Sequence, residues 1–210
     1  TREFFGDTVQ ARSFDVALAE INALGGEIVE LDFRPFFEVA AMLYDGVWIA
    51  ERYTVVENLI KDNPDALHPV TRRVIEKAER FSAADAFRGF YRLRALQRRA
   101  MPLVESVDLL CVPSMPTFYT VAELEANPLE PNARLGTYTN FVNLLNLCGI
   151  TVPTKARSDG WPGSVTLLAQ ADRDGHIAAI ASALQHRCDV TPGATGWPLP
   201  KPATSEPTPG

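Results

Sequence analysis

Two adjacent glycines, Gly25 and Gly26, separate stretches whose apolar residues repeat with different periods, and no other feature constrains the fold as tightly. Before them, Phe14, Leu18, Ile21 and Leu24 recur at the spacing that lines one face of a helix. Asp7 or Thr8 supplies a cap for such a helix over residues 9–24. The glycines end it, because glycine adopts the left-handed backbone without steric cost. After them, Glu27-Ile28-Val29-Glu30-Leu31-Asp32-Phe33 alternates polar and apolar residues, as a half-buried strand does. A helix, a glycine pair and a strand in succession imply helices layered on a sheet. The expected fold class is therefore α/β, with a mixed β-sheet covered by helices.

The rest of the chain fits that expectation. Residues 36–60 read as helical, broken or bent near Asp45-Gly46. A capping helix follows over about 70–80. Ser82, with Asp85 three residues on, starts a long helix over 82–104. Val107 to Val112 is a short apolar run ending at Pro113 and reads as a buried strand, and Ser164 to Ala169 reads as another strand. A loop bearing Pro and Asn spans 113–134, Leu135 to Leu147 reads as helix, and Ala178 to Leu184 as the last helix. From Thr191 onward Pro, Gly, Thr and Ser dominate, the composition of a linker or disordered tail over 191–210.

The net charge of −6 argues against nucleic-acid and membrane-surface binding, which need a basic face. One segment runs the other way. Arg88, Arg92, Arg94, Arg98 and Arg99 crowd the 82–104 helix, and they read as its solvated face, with Phe87, Phe90, Tyr91 and Leu93 marking the buried side. A basic docking patch is the alternative. Cys111, Cys148 and Cys188 are odd in number and widely spaced, the pattern of a reducing compartment, so the cytoplasm is expected. No stretch of 18 apolar residues offers a membrane span. The chain opens at Thr1 and runs straight into Phe4-Phe5-Gly6-Asp7, so further sequence upstream is expected.

Familiar catalytic patterns are missing. There is no G-x-S-x-G elbow, H-E-x-x-H pair, Walker loop or G-x-G-x-x-G turn. His68, His176 and His186 lie in separate segments without metal spacing, so neither a metal nor an organic cofactor is expected.

What the chain does carry is Arg134-Leu135-Gly136-Thr137-Tyr138-Thr139-Asn140-Phe141-Val142-Asn143-Leu144, then Thr151-Val152-Pro153, then Gly160-Trp161-Pro162-Gly163-Ser164 leading into a strand. This order resembles the C-terminal half of the amidase signature family. Its G-x-P-x-G turn is altered here, with the second glycine one residue early and Ser164 in the usual glycine place. Phe4-Phe5-Gly6-Asp7, Val29-Glu30-Leu31-Asp32-Phe33, Leu43-Tyr44-Asp45-Gly46, Trp48-Ile49-Ala50-Glu51-Arg52-Tyr53, Leu67-His68-Pro69-Val70-Thr71 and Gly193-Ala194-Thr195-Gly196-Trp197-Pro198 are similar, within that family, to allophanate hydrolases. The likeness spans about residues 3–200.

The resemblance implies a partial amidase-signature fold, with residues 1–190 as the C-terminal portion of an amidase domain. It also implies hydrolysis of allophanate (urea-1-carboxylate) to ammonia and carbon dioxide, as part of urea degradation. The family attacks amides with a serine, a second serine in a cis peptide and a lysine, all in a glycine- and serine-rich segment. This chain has no Ser-Ser pair and only Lys61, Lys77, Lys155 and Lys201, so no catalytic residue is assigned and the chain alone is expected to be inactive. Ser164, near two glycines but preceded by Trp161-Pro162, does not read as a nucleophile.

Substrate-binding residues do carry over. In the family's L-Y-x-G-x-W-x-A-E-R segment a tyrosine and an arginine anchor the substrate carboxylate, and they correspond to Tyr44 and Arg52. A guanidinium meets a carboxylate with two parallel donors, and a phenol adds a third. Eight residues apart on one helix, the two would start about 12 Å apart along the axis, and a bend at Gly46 shortens that reach. Arg94 reads as an exposed arginine and serves as the contrast. The alternatives are a fragment of a biuret hydrolase or of an amidotransferase, or a non-catalytic interaction subunit. The expected partners are a carboxylated urea and a homodimer mate or a chain supplying the rest of the domain.

Overall fold

The computed structural model describes residues 2–193 and 195–200, the side chains of Tyr44 and Asp45 excepted. Eight α-helices and three strands are found among them: α1 (Thr8–Ala23), α2 (Arg34–Asp45), α3 (Trp48–Asp62), α4 (Pro69–Ile75), α5 (Ala83–Glu105), β1 (Leu110–Pro113), α6 (Val121–Ala126), α7 (Glu130–Leu135), β2 (Leu147–Thr154), β3 (Gly163–Gln170) and α8 (Asp174–Cys188). The α/β class is as expected. The sheet has the order β1-β3-β2, and both neighbours run antiparallel to β3, with Val112 opposite Thr166 and Val152 opposite Val165.

Strand β3 organises the packing. Val165, Leu167 and Leu168 are almost fully buried, because helices cover both faces of the sheet. Val165 and Leu167 pack with Phe14 and Ala17 of α1 and with Ala181 and Leu184 of α8. Leu168 points to the other face, into a larger core with Phe36 and Val39 of α2, Leu96 and Ala100 of α5, and Phe141. Alternate residues of one strand therefore feed two hydrophobic cores.

Helix starts follow local chemistry. Asp7 caps α1 by accepting from the Gln10 amide at 2.8 Å. Ser82 and Asp85 form the reciprocal cap of α5. At Asp45-Gly46, where a break or a bend is expected, the helix breaks. Gly46 is extended, and a Cβ there would meet the Met42 carbonyl oxygen at 2.5 Å, so α2 stops and α3 begins two residues on.

Three expectations change. Residues 27–33 form no strand: Ile28 and Val29 are exposed, while Leu31 and Phe33 lean on the larger core. The alternation is real, but it belongs to an extended approach in which Phe33 stacks on Phe36 at 4.5 Å and leads into α2. Residues 136–146 are hydrogen-bonded turns rather than helix, and β2, which the sequence pattern does not announce, follows. Buried Tyr138, Phe141, Leu144 and Leu145 mimic helical spacing, while Asn146 takes a left-handed φ of 53° that ends the run. Pro153 is tolerated in β2 because β2 lies at a sheet edge.

The third change is on α5. Phe87, Phe90 and Tyr91 are 61%, 55% and 70% exposed, so they do not mark its buried side. The buried stripe is Leu93, Leu96, Ala100 and Val104, and the aromatics lie in the helix's first turns, short of the larger core. Of the arginines, Arg99 makes a two-point bond to Glu38 and Arg88 pairs with Asp85. No helix among the described residues is long and apolar enough to cross a membrane.

Candidate functional site

The break at Gly46 leaves a gap between the start of α3 and the flank of α5. Gly89 lets the two helices approach there, since a Cβ on it would collide with Val47 Cγ2. The result is a cavity of about 470 Å³. Its walls are Leu43 from α2, Trp48, Glu51 and Arg52 from α3, Phe90, Leu93, Arg94 and Gln97 from α5, and Asn143 and Leu144 from the 136–146 turns. Apolar groups and charged or amide groups line it together, the mixture that small-molecule sites use.

Arg52 is half-buried and lines this cavity, and it also makes an interaction within the chain. Tyr44 falls in the last turn of α2, next to cavity-lining Leu43, but its side chain lies outside the described residues. The two expected substrate-binding residues thus sit on different helices joined at the break, not on one continuous helix.

Sequence reasoning missed the rest of the polar lining. Gln97 donates from Nε2 to the Leu144 carbonyl at 3.1 Å, which turns its Oε1 toward Arg94; the Arg94 Nη1 donates to it at 3.3 Å. Arg94, expected to be an exposed arginine remote from the site, lines the same cavity as Arg52. It is exposed, and it is also at the rim. The signal is present in the pattern, because Arg94 and Gln97 follow Phe90 and Leu93 by four residues each and so share their flank of α5.

A second polar cluster has no forewarning in the sequence. Arg157, only 7% exposed, donates to Gln10 at 2.7 Å, pairs with Asp7 at 3.2 Å and with Asp159 at 2.8 Å, and lies over the Phe118 ring at 4.4 Å. The guanidinium holds the Asp159 carboxyl below its ordinary range. With every partner supplied from within the chain, this cluster fastens the 155–163 loop to α1. The altered turn is explained nearby. Gly160 takes the left-handed φ of 84°, whereas Gly163 is needed for space, since a Cβ there would collide with the Lys155 carbonyl oxygen. Ser164 is then free to pair with Pro153 inside β3.

Other groups offer little chemistry. His68 caps α4 through Nδ1. Burial pushes the Cys111 thiol up to about 12, far from a reactive thiolate. No group of three metal-binding side chains occurs among the described residues. A hollow of about 580 Å³ beside Gly25-Gly26 is larger than the Arg52 cavity, but it is shallow and Glu27 is its single charged wall residue, so volume alone does not mark the site.

Several known proteins are similar to this chain. Residues 3–177 match the amidase family model. Over 181 residues the chain is 35% identical to the urea amidolyase of Saccharomyces cerevisiae, covering 85% of this chain and 10% of that protein. It is 26% identical over 210 residues to a component of the glutamyl-tRNA(Gln) amidotransferase of Mycobacteroides abscessus, covering 87% of this chain and 42% of that one. The fold superposes on Kluyveromyces lactis allophanate hydrolase with a TM-score of 0.86 at 34% identity, covering 90% of this chain and 31% of that one. The chain therefore spans about a tenth of the length of the urea amidolyase it matches and under a third of the hydrolase chain.

Proposed function

The chain belongs to the amidase family, and on that premise we propose that it is the substrate-gripping portion of an enzyme hydrolysing allophanate to ammonia and carbon dioxide. The observation that carries the reading is the half-buried Arg52 guanidinium on the wall of a 470 Å³ cavity. Allophanate is urea bearing a carboxylate. Arg52 would take the carboxylate through two parallel N–H donors, and Tyr44, a residue of the last turn of α2, is the proposed source of a phenol donor. The names carried by the relatives, urea amidolyase and allophanate hydrolase, support a urea-derived amide as substrate.

The reacting groups would come from outside these 210 residues. A serine oxygen attacks the terminal amide carbonyl, the C–N bond breaks and ammonia leaves with the serine's proton; water then releases the acyl group as N-carboxycarbamate, which takes up protons and falls apart to two carbon dioxide molecules and a second ammonia. The absence of a Ser-Ser pair from the sequence supports the division of labour: this chain orients, and another segment or a partner chain cuts. Residues 1–190 then form the C-terminal portion of the domain and 191–210 a linker; α8 ends at Cys188, and no helix or strand follows among the described residues. Free thiols at Cys111, Cys148 and Cys188 support a reducing compartment, the cytoplasm.

The test is binding of malonamate, a stable analogue with CH2 in place of the central NH, to the purified chain by titration calorimetry. Arg52→Ala should weaken it by at least about tenfold, Arg52→Lys should lie between, because it keeps the charge but loses the fork, and Arg98→Ala should change nothing. Unaltered binding by a folded Arg52→Ala chain refutes the assignment.

A further inference from the structure

We propose that Arg94, oriented by Gln97, is a specificity-determining residue of the Arg52 cavity, making it select anionic amides over neutral ones of the same shape; this rests on the reading that the cavity is the substrate site. Arg52 and Arg94 approach the cavity from different helices, α3 and α5, so their charges act on a ligand from two sides. Among the described residues that line the cavity, Glu51 is the one carboxylate beside the guanidinium groups of Arg52 and Arg94, a formal balance of +1. A small anion entering this space meets an excess of fixed positive charge, while a neutral isostere gains nothing from it and must still desolvate the guanidinium groups.

The second guanidinium is held in place. The Leu144 carbonyl can only accept, so it faces the Gln97 amide nitrogen at 3.1 Å, and the opposite end of the amide, an acceptor, is left for Arg94 at 3.3 Å. Leu144 is itself buried in the larger core. The 136–146 turns thereby set the position of a cation on α5 through one amide, and Gln97 is a positioning residue rather than a contact. Arg94 is exposed at the rim, so its contribution is to discrimination more than to gross affinity.

The experiment compares malonamate with malonamide, its uncharged isostere, on the 210-residue chain by titration calorimetry. In the unaltered chain malonamate should bind the tighter. Arg94→Gln should lower malonamate affinity by about fivefold and leave malonamide affinity unchanged. Arg94→Lys should restore most of the preference, and Gln97→Leu should erode it in the same direction as Arg94→Gln. An unchanged preference in Arg94→Gln overturns the inference, and so does an equal loss of both ligands, which would mark a collapsed cavity. If Arg52→Ala abolishes the preference while Arg94→Gln leaves it intact, the substrate-site reading survives without this inference. If Arg52→Ala leaves malonamate binding intact, both fall.

Discussion

The Arg157 guanidinium donates to the side-chain oxygen of Gln10 at 2.7 Å, joining residues 147 positions apart in the chain. Gln10 in turn donates to the Met115 carbonyl at 2.8 Å, and Asp7, which caps α1, accepts from Thr117 at 3.2 Å. One buried cation thus ties three segments together: the start of α1, the stretch after β1, and the loop between β2 and β3. No apolar contact could specify that meeting so sharply, because a forked donor accepts few geometries.

Removing that cation should be costly. Arg157→Leu leaves Asp7, with 16% of its side chain exposed, without its charge partner. We expect a loss of about 3 kcal/mol in urea denaturation, within the range for breaking one side of a buried ion pair. The Asp159 carboxyl should return upward toward its ordinary range, as read by NMR titration, since Arg157 is the chief cause of its lowering. Arg98→Leu, on an exposed arginine, should stay within about 0.5 kcal/mol of the unaltered chain.

Two glycine-to-alanine changes should move stability in opposite directions. At Gly163 the new methyl would meet the Lys155 backbone oxygen, which cannot swing aside as a flexible side chain would, so Gly163→Ala should cost about 1–3 kcal/mol. Gly175 lies in the first turn of α8 with nothing within 4 Å of the added carbon. Gly175→Ala should therefore stabilise by about 0.5–1 kcal/mol through reduced freedom of the unfolded chain. Thermal melts of the two variants decide the matter, and a common sign would refute it.

His186 should report on pH. Its Nδ1 faces the Ser182 carbonyl at 2.7 Å and its Nε2 faces the Pro200 carbonyl at 2.8 Å. Both oxygens can only accept, so both ring nitrogens are called on to donate, and the imidazolium is favoured. The Ser182 carbonyl first, and then that of Pro200, raises the pKa above the usual 6.5. A raised folded-state value means that the contact's stabilisation is complete below about 6.5 and is lost as pH climbs through the higher value. Ring-proton NMR should give a midpoint above the ordinary 6.5, lowered by deleting Pro200 and the residues after it. A midpoint at or below that ordinary value would remove the contact.

The elements legible in the sequence are those whose local chemistry and tertiary setting agree. Ser82 and Asp85 announce α5, and the largely apolar run from Val165 to Ala169, interrupted by Thr166 alone, announces β3, because both faces of that strand are covered. Glu27 to Phe33 misleads because alternation records which side chains find apolar neighbours, not whether the backbone finds a ladder. Strand β2 is hidden by Gly149 and Pro153, residues that weaken a strand signal and that an edge position tolerates. At the candidate site, Arg52 is legible through a family resemblance, whereas Arg94, which lines the same cavity, looks merely solvated. Arg157 gives no warning at all: a lone arginine in a polar loop looks exposed until its partners arrive from the far end of the chain.

The cavity on α3 and α5 divides its labour in a way that bears on how such proteins diversify. Leu43, Leu93 and Leu144 belong to the larger core and hold the walls up, while Glu51, Arg52, Arg94, Gln97 and Asn143 belong to neither core. The polar groups lining the cavity are therefore distinct from the apolar groups that fill the larger core. A lineage can rewrite these polar positions while the sheet and its helices stay as they are.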